Sequence, residues 1–419
     1  MSLNKQLVTL RSVFVAMASI QLATAAAGTL VPLAFAQSGA SQEAASFAAS
    51  AYSAGFLVGC FVVAKSIADI GHIRAFAAGA AITTAAILLF SQVDSVSFLI
   101  LLRFLMGLAT AGLFSIGDAW INETAEKSSR GRVLAIYAIV VGIVSVLSQA
   151  VVILVPEESD DAFVLVALIY CFSTVVIAST RTNPPDPGSK AKVRVRGLLQ
   201  DAPAAVFGVI AMGMVSTTIL SVAPYSASQL GIKVHDIAYI IGAIYLGRVL
   251  FQYPLGSLSD KVDRRVVIFI TSSICAAVLL AMALLADAQP VEIEFDYLSP
   301  GYLVLMILMV LLGGSLLTMY SLLTAHAMDR TVPVYVSAAA VTMLFVWTLG
   351  SIAGPIITSV FTGFFGDNAM HWVNFAVMSS FVVYLGFHIR SSEPVSHAEQ
   401  TSHTDLVPSS TEMVPSKKR

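Results

Sequence analysis

Long apolar runs recur along the chain at nearly even intervals, and short polar stretches separate them. Each run has about 20 residues, enough for a helix rising 1.5 Å per residue to cross about 30 Å of hydrocarbon. A helix is expected because every backbone N–H group in lipid needs an internal partner. The pattern predicts twelve membrane-spanning helices, over residues 10–36, 44–64, 75–92, 96–119, 131–155, 161–179, 203–228, 236–255, 266–286, 300–324, 334–361 and 370–389.

The composition agrees with lipid as the solvent. Of 419 residues, 57% are hydrophobic and only 11% are charged, and the mean hydropathy is +0.85. This is too little polar material to cover a water-soluble globule. The first segment contains an A-x-A sequence, Ala34–Ala36, but the apolar stretch before it is longer than that of a signal peptide. We therefore expect an uncleaved first helix.

The cations indicate the orientation. If the amino terminus is cytoplasmic, 20 of the 23 Lys and Arg residues fall in cytoplasmic segments. Arg103 and Arg248 lie within helices, and Lys233 alone lies outside. The positive-inside rule therefore predicts that both termini are cytoplasmic, which requires an even number of helices. The expected location is the bacterial inner membrane.

A polar stretch divides the chain into two similar halves. It holds three prolines and five cations and predicts a cytoplasmic linker over residues 181–202. The halves are then residues 1–180 and 203–389, each with six helices, and the polar tail 390–419 is expected to be disordered.

The two halves share a pattern of charges and glycines. Asp69 precedes Arg74 by five residues in the loop after the second helix, and Asp260 precedes Arg265 by five in the loop after the eighth. Gly107 in the fourth helix and Gly313 in the tenth occupy similar depths. Parallel six-helix repeats of this kind are typical of the two halves of major facilitator transporters.

Specific motifs carry the resemblance further. PLGSLSDKVDRR, ending at Arg265, is similar to the major facilitator loop motif G-x-L-x-D-x-x-G-R-R, with Asp263 where glycine is usual. In the first-half copy Gly71 follows Asp69 by two residues instead of three. RFLMGLATAG, beginning at Arg103, is similar to the family's fourth-helix motif, and GHIRAFA and DAWINE resemble the poorly characterised bacterial YcaD branch.

The resemblance implies an all-α major facilitator fold, twelve helices in two pseudo-symmetric six-helix bundles, and transport by alternating access. Charged loops at the membrane edge must then latch and release as the bundles rock. The alternative is that these charges only set the topology. The predicted gating residues are Asp69, Gly71, Arg74, Asp118, Arg130, Arg132, Gly256, Asp260, Arg264 and Arg265.

Two arginines inside membrane spans are candidates for the substrate site, because such groups are usually functional. Arg103 and Arg248 have no evident carboxylate partner within the bilayer, and a guanidinium suits an anionic group. The alternative is that they cap backbone carbonyls or extend to water. Polar and aromatic residues at helical spacing add Gln21, Thr24, Thr217, Ser221, Tyr225, Tyr320 and Trp347 as further candidates for a cavity lining.

The coupling ion and the substrate stay open. A coupling proton has only Asp118 and His326 as candidate carriers, and passive transport is the alternative. A drug or metabolite exporter is less favoured because the fifth helix lacks the antiporter signature, and a non-transporting sensor with this fold is a further alternative.

Other classes of protein find no support in the sequence. Motifs of metal-dependent hydrolases, nucleophilic enzymes and phosphate-binding loops are absent, and three isolated cysteines lie at no metal-ligand spacing. We expect no enzyme activity, cofactor, metal or nucleic acid. The expected partners are a small-molecule substrate and the lipid bilayer, and the expected state is a monomer.

Overall fold

The computed structural model describes residues 3–126, 129–155, 160–180, 192–287, 297 and 299–391. In chain order the helices are α1 (Leu3–Gln37), α2 (Gln42–Ile70), α3 (His72–Phe90), α4 (Val96–Thr124), α5 (Arg130–Ile153), α6 (Asp161–Ala178), α7 (Val195–Asp201), α8 (Pro203–Ser221), α9 (Ala223–Gln229), α10 (Val234–Ser259), α11 (Arg264–Asp287), α12 (Pro300–Leu316), α13 (Met319–Arg330), α14 (Val336–Phe365) and α15 (Ala369–Ser391). Within these residues twelve spans are long and apolar enough to cross a membrane, which confirms the predicted number.

The seventh and tenth spans are each broken into two helices, which the sequence pattern did not predict. In the seventh, α8 and α9 meet at Val222, one residue before the first turn of α9, which contains Pro224. Proline lacks an N–H group and so interrupts the hydrogen bonds of the preceding helix. In the tenth, the Thr318 hydroxyl donates to the Gly314 carbonyl at 2.6 Å beside the break between α12 and α13. Such hydroxyl bonds to the backbone bend helices.

Buried apolar side chains form two large clusters, one in each half of the chain. The first cluster runs from Leu10 to Ile177 and also includes Tyr225 and Ala238. The second runs from Leu198 to Leu385 and also includes Leu33. The clusters meet where α2 packs on α14, where α5 packs on α10, and where α1 packs on α9.

Glycines allow the same close helix crossing in each half. A Cβ atom on Gly107 of α4 would overlap the Tyr52 carbonyl oxygen of α2, and one on Gly313 of α12 would overlap the Ile244 carbonyl oxygen of α10. Small residues at helix crossings let the backbones approach in this way. The two glycines noticed in the sequence therefore hold equivalent helix pairs together.

The predicted linker ends in a short helix. Residues 181–191 lie outside the described part of the chain, as does most of the predicted tail, residues 392–419. Leu198 of α7 is buried in the second cluster. The Arg194 backbone N–H donates to Thr342 at 2.8 Å, and its guanidinium lies 3.8 Å from the centroid of the Tyr335 ring. The end of the linker is therefore attached to α14 and to the turn that precedes it.

Candidate functional site

Arg103 is a buried cation of the first half with an aromatic partner. Its side chain is buried on α4, and its guanidinium carbon is 4.5 Å from the centroid of the Tyr52 ring on α2. Among the described residues Arg103 forms no hydrogen bond and no ion pair with a carboxylate. A guanidinium on an aromatic face keeps its N–H donors available along its edge.

Polar residues of α1 bind neighbouring helices close to this arginine. The Thr24 hydroxyl lies 3.0 Å from that of Tyr170 on α6, and Tyr170 is an electrostatic neighbour of Arg103. Gln21 donates to Ser145 of α5 at 2.9 Å. The predicted face of α1 therefore borders the Arg103 site, and part of its hydrogen-bonding capacity already joins helices.

An aromatic cluster joins the two halves one turn further along α2. The Phe56 ring packs edge-on against Trp347 of α14, with centroids 6.5 Å apart, and Trp347 packs in the same manner against Tyr320 at 6.4 Å. The Trp347 indole N–H is buried without a hydrogen-bond acceptor in the described part of the chain. It is a second unused donor in the middle of the bundle.

Arg248 approaches the same region from the second half. It is buried on α10, and its Nε donates to Gln252 at 3.2 Å. Tyr245, one turn before it, is an electrostatic neighbour of both Arg248 and Tyr52. The two arginines that the sequence pattern singled out are therefore linked electrostatically through Tyr52 of the first half and Tyr245 of the second. We call Arg103, Tyr52, Tyr245, Arg248 and Trp347 the central site.

The predicted face of the seventh helix is divided by its break. Thr217 and Ser221 are half-buried on α8, whereas Tyr225 lies beyond Val222 on α9. The Tyr225 hydroxyl donates to the Ala40 carbonyl at 2.7 Å, and so bonds one half to the other. Tyr225 therefore lies at one end of the bundle, which we call the Tyr225 end, and not on a continuous lining with Thr217.

A buried charge network occupies the opposite end of the second half, which we call the Arg264 end. Arg264 bonds Asp260 at 2.9 Å and Asp329 of α13 at 2.5 Å, and the side chains of Arg264 and Asp329 are each 2% exposed. Arg265 instead bonds Asp263 at 2.8 Å. Burial raises the pKa of Asp263, but the hydrogen bonds from Arg265 outweigh it and place that pKa below its ordinary value.

Gly256 and His326 lie beside this network. Gly256 is buried in α10, where its carbonyl accepts from the Ser259 hydroxyl at 2.8 Å. His326 is buried one turn before Asp329, and its Nε2 has no hydrogen-bond partner among the described residues.

The matching loop of the first half forms no such network. Asp69 and Arg74 are both exposed, and the described residues give neither an ion pair. Gly71 between them has a φ of 81°, a conformation that favours glycine, and it ends α2 one residue before α3 begins. In this half the motif therefore forms its turn at Gly71, but Asp69 and Arg74 form no ion pair in the described residues.

Asp118 is buried on α4 and accepts a hydrogen bond from the Tyr137 hydroxyl of α5 at 2.9 Å. Arg130 and Arg132, which follow Asp118 in the chain and were predicted to act with it, form no hydrogen bond or ion pair with its carboxylate in the described residues. Arg130 donates to the Ala125 carbonyl at 3.4 Å, and Arg132 is exposed. The bond to Tyr137 joins α4 and α5 near the end of the first half that carries Asp69.

Sequence reasoning missed several members of these sites. Tyr52 and Tyr245 lie in apolar helices without a distinguishing spacing, and only the fold makes them electrostatic neighbours of the arginines. Asp329 had a signal, because it precedes Arg330 at the end of a span, but its partner is 65 residues away. A sequence does not give such long-range pairing.

Comparison with known proteins places this architecture in a family. The model of the Major Facilitator Superfamily matches residues 13–204 and again residues 205–415. The uncharacterized transporter YcaD of Escherichia coli O6:K15:H31 (strain 536) is 23% identical over 384 residues, or 90% of this chain and 95% of YcaD. YcaD of Escherichia coli O139:H28 (strain E24377A) is 24% identical over 388 residues, with the same coverage of both chains.

Solved structures agree on the fold. A bacterial homologue of the human lysosomal transporter Spinster, inward-facing and occupied, has a TM-score of 0.70 at 14% identity, covering 94% of this chain and 98% of its own. The nucleoside transporter NupG has a TM-score of 0.70 at 14% identity, covering 93% and 99%. A D-xylose-proton symporter has a TM-score of 0.67 at 13% identity, with 93% and 99% covered.

Two consecutive matches to one family model correspond to the two six-helix halves, and the family consists of transporters and not of enzymes. The chain is a multi-pass membrane protein that belongs to the major facilitator superfamily, with its resemblance to the YcaD branch confirmed.

Proposed function

We propose that this protein is a secondary transporter that carries a small anionic solute across the bacterial inner membrane by rocker-switch alternating access. The halves would rock about the central site. The termini and the Arg264 end would face the cytoplasm, as the positive-inside rule predicts.

The observation that carries the proposal is the buried Arg103 guanidinium without a carboxylate partner among the described residues. Burying a charge is costly unless a partner offsets it. The unused indole N–H of Trp347 adds a neutral donor from the other half. A site offering a cation and a free N–H favours a solute with an anionic, acceptor-rich group such as carboxylate or phosphate.

Contacts between the halves support the conformational part of the proposal. Near the Tyr225 end, Tyr225 donates to Ala40, and Gln229 donates to the Ala36 carbonyl at 3.1 Å. Ser50 of α2 donates to the Ile352 carbonyl of α14 at 2.8 Å. In the proposed orientation these bonds close the periplasmic side, and transport requires them to break in each cycle.

The proposal is tested with the purified protein in liposomes. We expect uptake or counterflow of at least one radiolabelled organic anion from a panel of carboxylates and phosphates, with neutral sugars and nucleosides as the contrasting arm. Repeating the assay with and without an imposed pH gradient measures whether a proton moves with the solute. Transport restricted to neutral solutes would contradict the anionic class, and binding without transport would favour a sensor.

Arg103→Ala should weaken transport of the anion about 10- to 100-fold in kcat/KM, because it removes a charged hydrogen-bond donor from the solute. Arg103→Lys should recover part of the loss, since it restores the charge without the planar fork. Arg390→Ala, which changes an exposed arginine in the last turn of α15, is the matched control and should transport normally. Equal rates for the Arg103→Ala and Arg390→Ala variants would remove Arg103 from the site.

Tyr225→Phe removes one hydrogen bond between the halves and keeps the ring. The loss of about 1 kcal/mol should raise the fraction of molecules open at the Tyr225 end about fivefold. A cysteine introduced at Gly28 of α1 would report this as faster labelling by a membrane-impermeant maleimide in oriented vesicles. Ser38→Ala, which removes only a bond within the end of α1, is the control. Unchanged labelling in the Tyr225→Phe variant would show that this bond does not hold the end closed.

A further inference from the structure

A cavity lies away from the central site, at the Tyr225 end of the second half. It has a volume of about 420 Å³ and lies between the end of α11, the end of α14 and the start of α15. Its walls are mainly aromatic, from Phe361, Phe365 and Trp372, with Asn368 and Asp287 as the polar lining residues. The volume lies in the range of small-ligand sites.

The carboxylate of Asp287 is fixed in this cavity by two donors from α15 and the turn before it. The Trp372 indole N–H donates to Oδ2 at 2.9 Å, and the Asn368 amide donates to Oδ1 at 3.0 Å. Each carboxylate oxygen has two acceptor positions, so both oxygens can accept a further hydrogen bond. No Lys or Arg in the described residues pairs with Asp287, and the imidazole of His371 is an electrostatic neighbour of its carboxylate.

The walls indicate from which phase a ligand would enter. Phe361 and Phe365 are 45% and 73% exposed on the last two turns of α14, and their rings stack with centroids 6.0 Å apart. Trp372, which is 37% exposed at the start of α15, is of a residue type enriched at the level of the lipid headgroups. The cavity therefore combines an anionic acceptor with an aromatic wall at the boundary between lipid and water.

We propose that this cavity binds the primary ammonium headgroup of a phospholipid, phosphatidylethanolamine, from the leaflet at the Tyr225 end. The ammonium group donates hydrogen bonds to Asp287 and lies against the aromatic rings, while the glycerol and the acyl chains follow Phe361 and Phe365 into the leaflet. A trimethylammonium headgroup satisfies the aromatic walls but has no N–H to donate to the carboxylate. An anionic headgroup is repelled by Asp287.

Native mass spectrometry of the purified full-length protein tests this by titration with three lipids that share the same acyl chains. They are phosphatidylethanolamine, phosphatidylcholine and phosphatidylglycerol. We expect the wild type to bind one phosphatidylethanolamine about three- to tenfold more tightly than either other lipid. Asp287→Asn should abolish this preference, and Asp287→Glu should retain most of it. Asp94→Asn, which changes an exposed carboxylate in the loop between α3 and α4, is the control and should bind like the wild type.

Three results would each overturn the proposal. The first is equal affinity of the wild type for phosphatidylethanolamine and phosphatidylcholine, and the second is an Asp287→Asn variant that keeps the preference. The third is binding of free ethanolamine with the same dependence on Asp287 as the lipid, because that would identify a soluble amine as the ligand. Phe365→Leu should lower the affinity about two- to threefold without changing which headgroup is preferred.

Discussion

Gly107→Ala should destabilise the protein strongly, although it adds only one methyl group to an apolar helix. The new Cβ atom would overlap the Tyr52 carbonyl oxygen of α2, so the two backbones must separate. A backbone cannot move aside as a flexible side chain can, and overpacking of this kind costs about 3 kcal/mol. We expect a lower midpoint of thermal unfolding in detergent and less monodisperse protein after purification.

The same helix provides the control. A Cβ atom on Gly112 of α4 would lie 3.6 Å from a Val63 methyl group, which is ordinary van der Waals contact. Gly112→Ala should therefore unfold at nearly the wild-type temperature. Gly313→Ala, at the equivalent crossing of the second half, should be as damaging as Gly107→Ala. Equal midpoints for Gly107→Ala and Gly112→Ala would show that the α2 and α4 crossing is not close-packed as described.

Removing one partner of the Arg264 and Asp329 pair should lower the free energy of unfolding more than any other charge substitution. Both side chains are 2% exposed, so Asp329→Leu removes one carboxylate partner from a buried guanidinium that also bonds Asp260. Breaking a buried pair from one side costs about 3–5 kcal/mol. The measurement is thermal unfolding of the single variants Arg264→Met and Asp329→Leu in detergent.

The double variant distinguishes the loss of the ion pair from the loss of side-chain packing. Arg264→Met combined with Asp329→Leu replaces both charges by apolar side chains of similar volume and should recover much of the stability lost by either single variant. Arg74→Met changes the matching arginine of the first half, which is exposed, and should leave the midpoint unchanged. Additive effects in the double variant would contradict a direct interaction between Arg264 and Asp329.

The number of helices followed from the sequence because each span obeys a local rule. A run such as residues 131–155 must be a helix wherever it lies in the bilayer, and the structure gives Arg130–Ile153. The breaks at Val222 and Leu317 did not follow. Hydropathy averages over a whole span, whereas a break depends on a proline or on hydroxyl bonds to a few carbonyls.

The sequence predicted those members of the candidate sites that are charged residues within membrane spans. Arg103 and Arg248 stand out in any membrane span, but their relation through Tyr52 and Tyr245 depends on how the helices pack. The loop motif indicated the Asp260 and Arg264 bond, since the two residues are four apart in the chain, across the turn between α10 and α11. The Asp329 partner comes from another helix, and local spacing carries no information about it.

The breaks also make the two halves mechanically unequal. The first helix runs from Leu3 to Gln37 without a break, with Pro32 near its end, and the fourth runs from Val96 to Thr124, whereas their counterparts in the second half are each divided in two. A divided helix bends at a joint with little loss of hydrogen bonding, and a continuous one resists bending. We therefore expect the first half to move as a rigid body and the second to bend at Val222 and Leu317. Conformational strain caused by solute binding would then be taken up mainly by the second half.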